Sequence, residues 1–271
     1  MNIFSFEFKR LLKSCLIWSA VCGMMIVLFM ALFPSMEDMG MKELVNDKMS
    51  GISLDMLKAF NIDAGMDFSD IFNYLGYVIQ YIAMASAVYG AILGVNSLIK
   101  EESQGTIEFL YSKPITRSKI VTSKLLSIIL IYFIYIFIIG AATILVCLAV
   151  KPDNVEIMDI LINIKIVYMG MFILGLVFMS IGMLISALAK SDKGGIPISI
   201  GIFFVSYLLG LIGKLKEDFE FLKYFSPFDY YAPGEILKNG FEMKFVIIGI
   251  CIMFVSIVST YLVYKRKDMN I

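Results

Sequence analysis

Leu125–Val150 reads LLSIILIYFIYIFIIGAATILVCLAV, 26 residues without Asp, Glu, Lys or Arg. A hydrocarbon layer about 30 Å thick needs roughly 20 apolar residues in a helix, and a helix apolar on every side for that length has no water-facing side. Outward from this run, five more meet the same test: Cys15–Phe33, Ile71–Ile99, Ile166–Ala189, Ile196–Gly213 and Phe245–Tyr264. Of the 271 residues, 59% are hydrophobic and 17% charged, and the mean hydropathy is +0.85. That balance excludes a soluble domain with one apolar core. The expected fold is all-α and integral to a membrane: a single domain over residues 1–271 with six transmembrane helices.

None of the six runs carries a charged side chain, and the chain has no His. Charged groups inside a membrane mark proton relays, ion sites and catalytic pairs, because their insertion cost is tolerated for function. Proton-driven transport and intramembrane acid-base chemistry are therefore set aside, as is any Ser-His or Cys-His dyad. The phosphate-binding pattern GxxxxGK[ST] fails at Gly213-Lys214, which Leu215 follows. Cys15, Cys22, Cys147 and Cys251 lie in or beside the runs with no CxxC spacing, so buried thiols are expected and no metal site. Met36, Met39, Met41, Met49, Met56 and Met66 in the acidic first loop reflect generous Met usage, with 19 in the chain, more than a copper site.

Orientation follows from the basic residues near the ends of the spans. Thirteen of the 23 Lys and Arg fall on one side: before the first run, between the second and third, between the fourth and fifth, and after the last. Seventeen of the 23 Asp and Glu fall on the other. Both termini are expected on the cytoplasmic side.

Three polar segments carry more order than connectors need. Lys100–Lys124, KEESQGTIEFLYSKPITRSKIVTSK, places Ile107, Phe109, Leu110 and Tyr111 between Gly105 and Pro114, which predicts a short amphipathic helix across the membrane surface. Thr116 is the expected N-cap of the helix that follows. Met1–Lys13 mixes Phe4, Phe6 and Phe8 with Lys9, Arg10 and Lys13 and should form an interfacial helix. Lys214–Lys244 gathers Phe219, Phe221, Tyr224, Phe225, Phe228, Tyr230 and Tyr231 around Pro227 and Pro233, which suggests short helices dipping into the outer leaflet. Within the second run, Ser86, Gly90 and Gly94 recur every fourth residue beside Ala83, Ala87 and Ala91. Such rows admit close helix approach, inside this chain or against a second one.

Glu101, Glu102, Gly105, Thr106, Ile107, Glu108, Phe109, Leu110, Ser112, Pro114, Arg117, Ser118 and Lys124 resemble the motif of ABC-2 type transporter permeases. An acidic pair, Gly-Thr, an amphipathic turn and Pro precede a basic helix start, between the second and third of six spans. The interfacial N-terminus and the aromatic segment before the last span are similar to that family's topology, of type V exporter kind. The resemblance implies a bacterial cell-membrane, multi-pass exporter subunit whose loop is a coupling helix that docks on a separate ABC ATPase. Glu101, Glu102, Gly105, Thr106, Ile107, Glu108, Phe109, Leu110, Tyr111, Pro114 and Arg117 would make that contact. Two ATPase copies would bind the ATP and Mg, so this chain would be no enzyme and hold no cofactor. A second permease chain, identical or paralogous, would complete the path, with membrane lipid around it and no nucleic acid. An uncharged wall suits an amphipathic or lipid-like cargo. A second span of about 30 residues would project beyond the bilayer as a lever. A membrane anchor or regulatory subunit that transports nothing is the rival reading.

Overall fold

In the computed structural model, residues 3–38, 67–100, 115–189 and 194–267 are described, and they are helical nearly throughout. Six helices are long and apolar enough to cross a membrane: α1 (Ile3–Met30), α3 (Ile71–Val95), α4 (Arg117–Val150), α5 (Ile157–Leu188), α6 (Gly195–Leu215) and α9 (Met243–Arg266). Short α2 (Phe33–Asp38) follows α1, and a 3-10 helix (Glu217–Phe225), α7 (Pro227–Tyr230) and α8 (Pro233–Asn239) precede α9. Pro opens both α7 and α8 in the first turn, where its missing N–H costs nothing. Gly240 ends α8 at φ 70°, a conformation that glycine adopts without strain.

α3 and α5 form the centre and run parallel, with Gly90 against Gly175 and Gly94 against Met179. α1 packs on α4, α4 also meets α5, α6 flanks α3, and α9 flanks α5. The buried stripe of α1, at Cys15, Ser19, Cys22, Ile26 and Met30, recurs every three or four residues. Leu16, Val21, Met24 and Leu28 on its other side are at least half exposed. In a bilayer both faces are apolar, so packing separates them by residue size and fit, which hydrophobic periodicity does not reveal.

The centre is close because it is built on glycine. A Cβ at Gly90 would lie 2.7 Å from the Gly175 carbonyl oxygen, one at Gly94 2.2 Å from that of Met179, and one at Gly182 2.7 Å from that of Ala91. The Ser86 hydroxyl bonds the Ile82 carbonyl at 2.7 Å and the Tyr135 hydroxyl at 2.8 Å. Tyr132 donates to the Ser86 and Met171 carbonyls, each at 3.2 Å, filling the space that Gly175 leaves open. Ser86, Gly90 and Gly94 thus lie on α3's face toward the other helices of this chain.

Three expectations need correction. The N-terminal segment is helical, but it forms the first turns of α1 and is no separate element, since nothing from Lys9 to Leu16 breaks a helix. The second span ends at Val95, after 25 residues or about 37 Å, so it is no long lever. Asn96 leaves helical geometry at φ −86°, ψ 2°, and the Ser97 hydroxyl closes the turn on the Gly94 carbonyl at 2.6 Å. Cys251 is exposed on α9, whereas Cys15, Cys22 and Cys147 are buried free thiols.

Candidate functional site

Glu101, Glu102, Gly105, Thr106, Ile107, Glu108, Phe109, Leu110, Tyr111 and Pro114 lie outside the described residues. Both ends of their segment are described, and they converge on a polar base between α1, α3, α4, α5 and α9. Thr116 caps α4: its φ is −74°, its ψ 148°, and its hydroxyl accepts from the Lys119 N–H at 3.4 Å. About two turns take α4 from Arg117 past Lys124 before its apolar run begins. This extension brings charge into a helix whose span was expected to hold none.

On the entry side, the Ser186 hydroxyl of α5 accepts from the backbone N–H groups of Leu98 and Ile99, at 2.9 and 3.0 Å. The freed donors after α3 are thereby satisfied by a neighbouring helix, which holds the turn in place. On the exit side, the Lys124 ammonium donates to the Ser97 carbonyl at 2.6 Å and pairs with Glu7 of α1 at 3.1 Å. The entry and exit of the segment are therefore bonded directly to each other. Arg10 pairs with the second Glu7 oxygen at 2.6 Å. Lys124 is 1% exposed and Glu7 4%. Ions so buried are retained only with close partners, because desolvation costs several kcal/mol each.

Arg117 reaches the far side of the base. One of its guanidinium nitrogens donates to the carbonyls of Tyr264, Lys265 and Lys267, at 3.3, 3.1 and 2.6 Å. These are terminal acceptors of α9, which a cation satisfies well. Lys267 in turn donates to the Ala189 carbonyl that caps α5, at 2.7 Å. Thr122 and Tyr261 share a 2.7 Å hydroxyl contact between α4 and α9. A small cavity of about 160 Å³ remains beside Glu7, Asn96, Ser97 and Lys124.

The base thus binds the segment's two ends to each other and to α1, α5 and α9. Its chemistry is mechanical, and no group of three or more metal-ligating side chains exists among the described residues. Of the predicted coupling residues only Arg117 belongs to the described part. Glu7, Ser186 and Lys267 were missed in the sequence. Glu7 had one signal: it is the sole acid among the first 36 residues, set among cations. Ser186 had none, since a Ser in an apolar run reads as a small packing residue.

The family model described as ABC-2 family transporter protein matches residues 1–269. No curated protein matches the chain.

Proposed function

Because the chain belongs to the ABC-2 family of transporter proteins, membrane components that associate with an ABC ATPase, we propose that it is the exporting permease half and that residues 101–114 are its docking element. The observation that carries this reading is the pinned base: Lys124 on Ser97, Ser186 on Leu98 and Ile99, and Arg117 on the end of α9. A free connector needs no such anchorage. A segment pushed by a motor does, since force applied to it must reach several helices together. Coupling of this kind requires a contiguous set of bonded elements, and α1, α3, α4, α5 and α9 supply one.

In this reading the base faces the cytoplasm, with both termini beside it. Two permease chains meet two ATPase subunits, which hold the ATP and Mg. Phe109, Leu110 and Tyr111 bury apolar surface in the ATPase, while Glu101, Glu102 and Glu108 pair with its basic residues. ATP-driven movement of the segment shifts α1 and α4 against the α3–α5 centre, and an amphipathic cargo leaves on the opposite side.

Phe109→Glu combined with Leu110→Glu tests it. The doubly substituted chain is expected to lose co-purification of the ATPase by at least tenfold while its own helix content stays unchanged. Retained ATPase binding with unchanged hydrolysis in reconstituted vesicles would overturn the docking role.

A further inference from the structure

At the end of the bundle opposite the loop base, a cavity of about 420 Å³ opens between α3, the 3-10 helix, α7, α8 and the start of α9. Its charge is balanced. Lys214, Lys223, Lys238 and Lys244 line it, and so do Glu220, Asp229, Glu235 and Glu242, four of each sign. Three ion pairs stand in its walls: Lys214 with Asp229 at 2.7 Å, Lys244 with Glu242 at 2.9 Å, and Lys223 with Glu220 at 3.2 Å.

The Asp229 carboxylate is built in rather than adventitious. Its side chain is 10% exposed, and a Cβ at Gly210 of α6 would fall 1.7 Å from its Oδ2, so glycine there makes its place. The apolar wall is equally fixed: Phe245 stacks on Tyr230 with centroids 4.9 Å apart and planes 7° from parallel, under the Lys244 ammonium at 4.7 Å. On the 3-10 helix, Tyr224 and Phe225 remain 48% and 62% exposed, rings of the kind that settle at headgroup depth.

We propose that this cavity binds the headgroup of a zwitterionic lipid amphiphile, with its acyl chains lying along the exposed rings outside. An anion alone would meet four carboxylates as well as four ammonium groups. A ligand with a phosphate and an amine a few bonds apart exchanges one wall pair for two new ones, so both charges remain compensated. The volume falls in the range of small-ligand pockets, about 300–1,000 Å³, and holds a headgroup without its tails. The inference deepens the permease reading and rests on it for the membrane setting, naming the class of amphiphile received on the outer side.

Native mass spectrometry of the full chain released from detergent micelles tests this, with dihexanoyl phosphatidylethanolamine as probe and dihexanoyl phosphatidylglycerol as the anionic comparator. The zwitterion is expected to bind at least tenfold more tightly. Gly234 lines the cavity, and a Cβ there meets nothing within 4 Å. Gly234→Phe should therefore send its ring into this space and remove the bound zwitterion, and Lys214→Met should weaken it at least tenfold. Equal binding of the two lipids by the unaltered chain overturns the proposal whatever the variants do. So does undiminished zwitterion binding by a Gly234→Phe chain that keeps its helix content. Because no ATPase is present, failure here leaves the permease reading standing, and failure of ATPase docking leaves this site standing.

Discussion

Glu7 carries the charge balance of the loop base, since one carboxylate faces both Lys124 and Arg10. The two ends of that network are not equivalent. Lys124→Met leaves Glu7 with Arg10, whereas Glu7→Gln removes the anion that both cations share. Breaking a buried pair costs about 3–5 kcal/mol. Lys124→Met is expected near the bottom of that range and Glu7→Gln near the top. Thermal unfolding of the purified chain in detergent should accordingly show the lower midpoint for Glu7→Gln, and midpoints unchanged from the unaltered chain in both variants would show that the pair contributes nothing. At this scale the sequence was partly legible. Lys124 stood in the motif and Thr116 was read as a cap, but Glu7 became a partner of Lys124 only when α1 and α4 packed together, 117 positions apart in sequence.

Among the elements, α3 and α5 show what small residues do in a bilayer. Lipid is as apolar as Leu, so helices associate through close packing, and backbone atoms approach only where Cβ is absent. The Gly94→Ala methyl would meet the Met179 carbonyl and the Met183 N–H, both backbone, so neither can turn aside. We expect a loss of about 1–3 kcal/mol, the usual cost of overpacking. Gly201→Ala on α6 meets nothing within 4 Å and should be neutral or stabilising by up to about 1 kcal/mol through helix propensity. Chemical denaturation of the two variants side by side checks the contrast, and similar losses at both positions would remove packing as the cause. The row at Ser86, Gly90 and Gly94 was visible from its spacing. Its partners Gly175 and Gly182 were not singled out, because seven-residue spacing in α5 forms no four-residue row.

For the whole molecule, the loop base and the lysine-lined cavity sit at opposite ends of the bundle, about one helix length apart. If the base is cytoplasmic, Ser118 and Asn239, both exposed, lie on opposite sides of the membrane. In a background without the native cysteines, Ser118→Cys should resist a membrane-impermeant maleimide in intact cells, and Asn239→Cys should react. The opposite pattern would invert the orientation and move the cavity to the ATPase side. Six spans, their order and the basic ends were determined by the sequence alone, because insertion into hydrocarbon depends on local apolar length and flanking charge, both properties of short contiguous runs. Where α3 stops, which face of each helix meets protein rather than lipid, and which distant ions share the loop base were decided by tertiary structure. Those outcomes depend on shape and charge brought together across the chain, and in an apolar solvent hydrophobic pattern does not encode them.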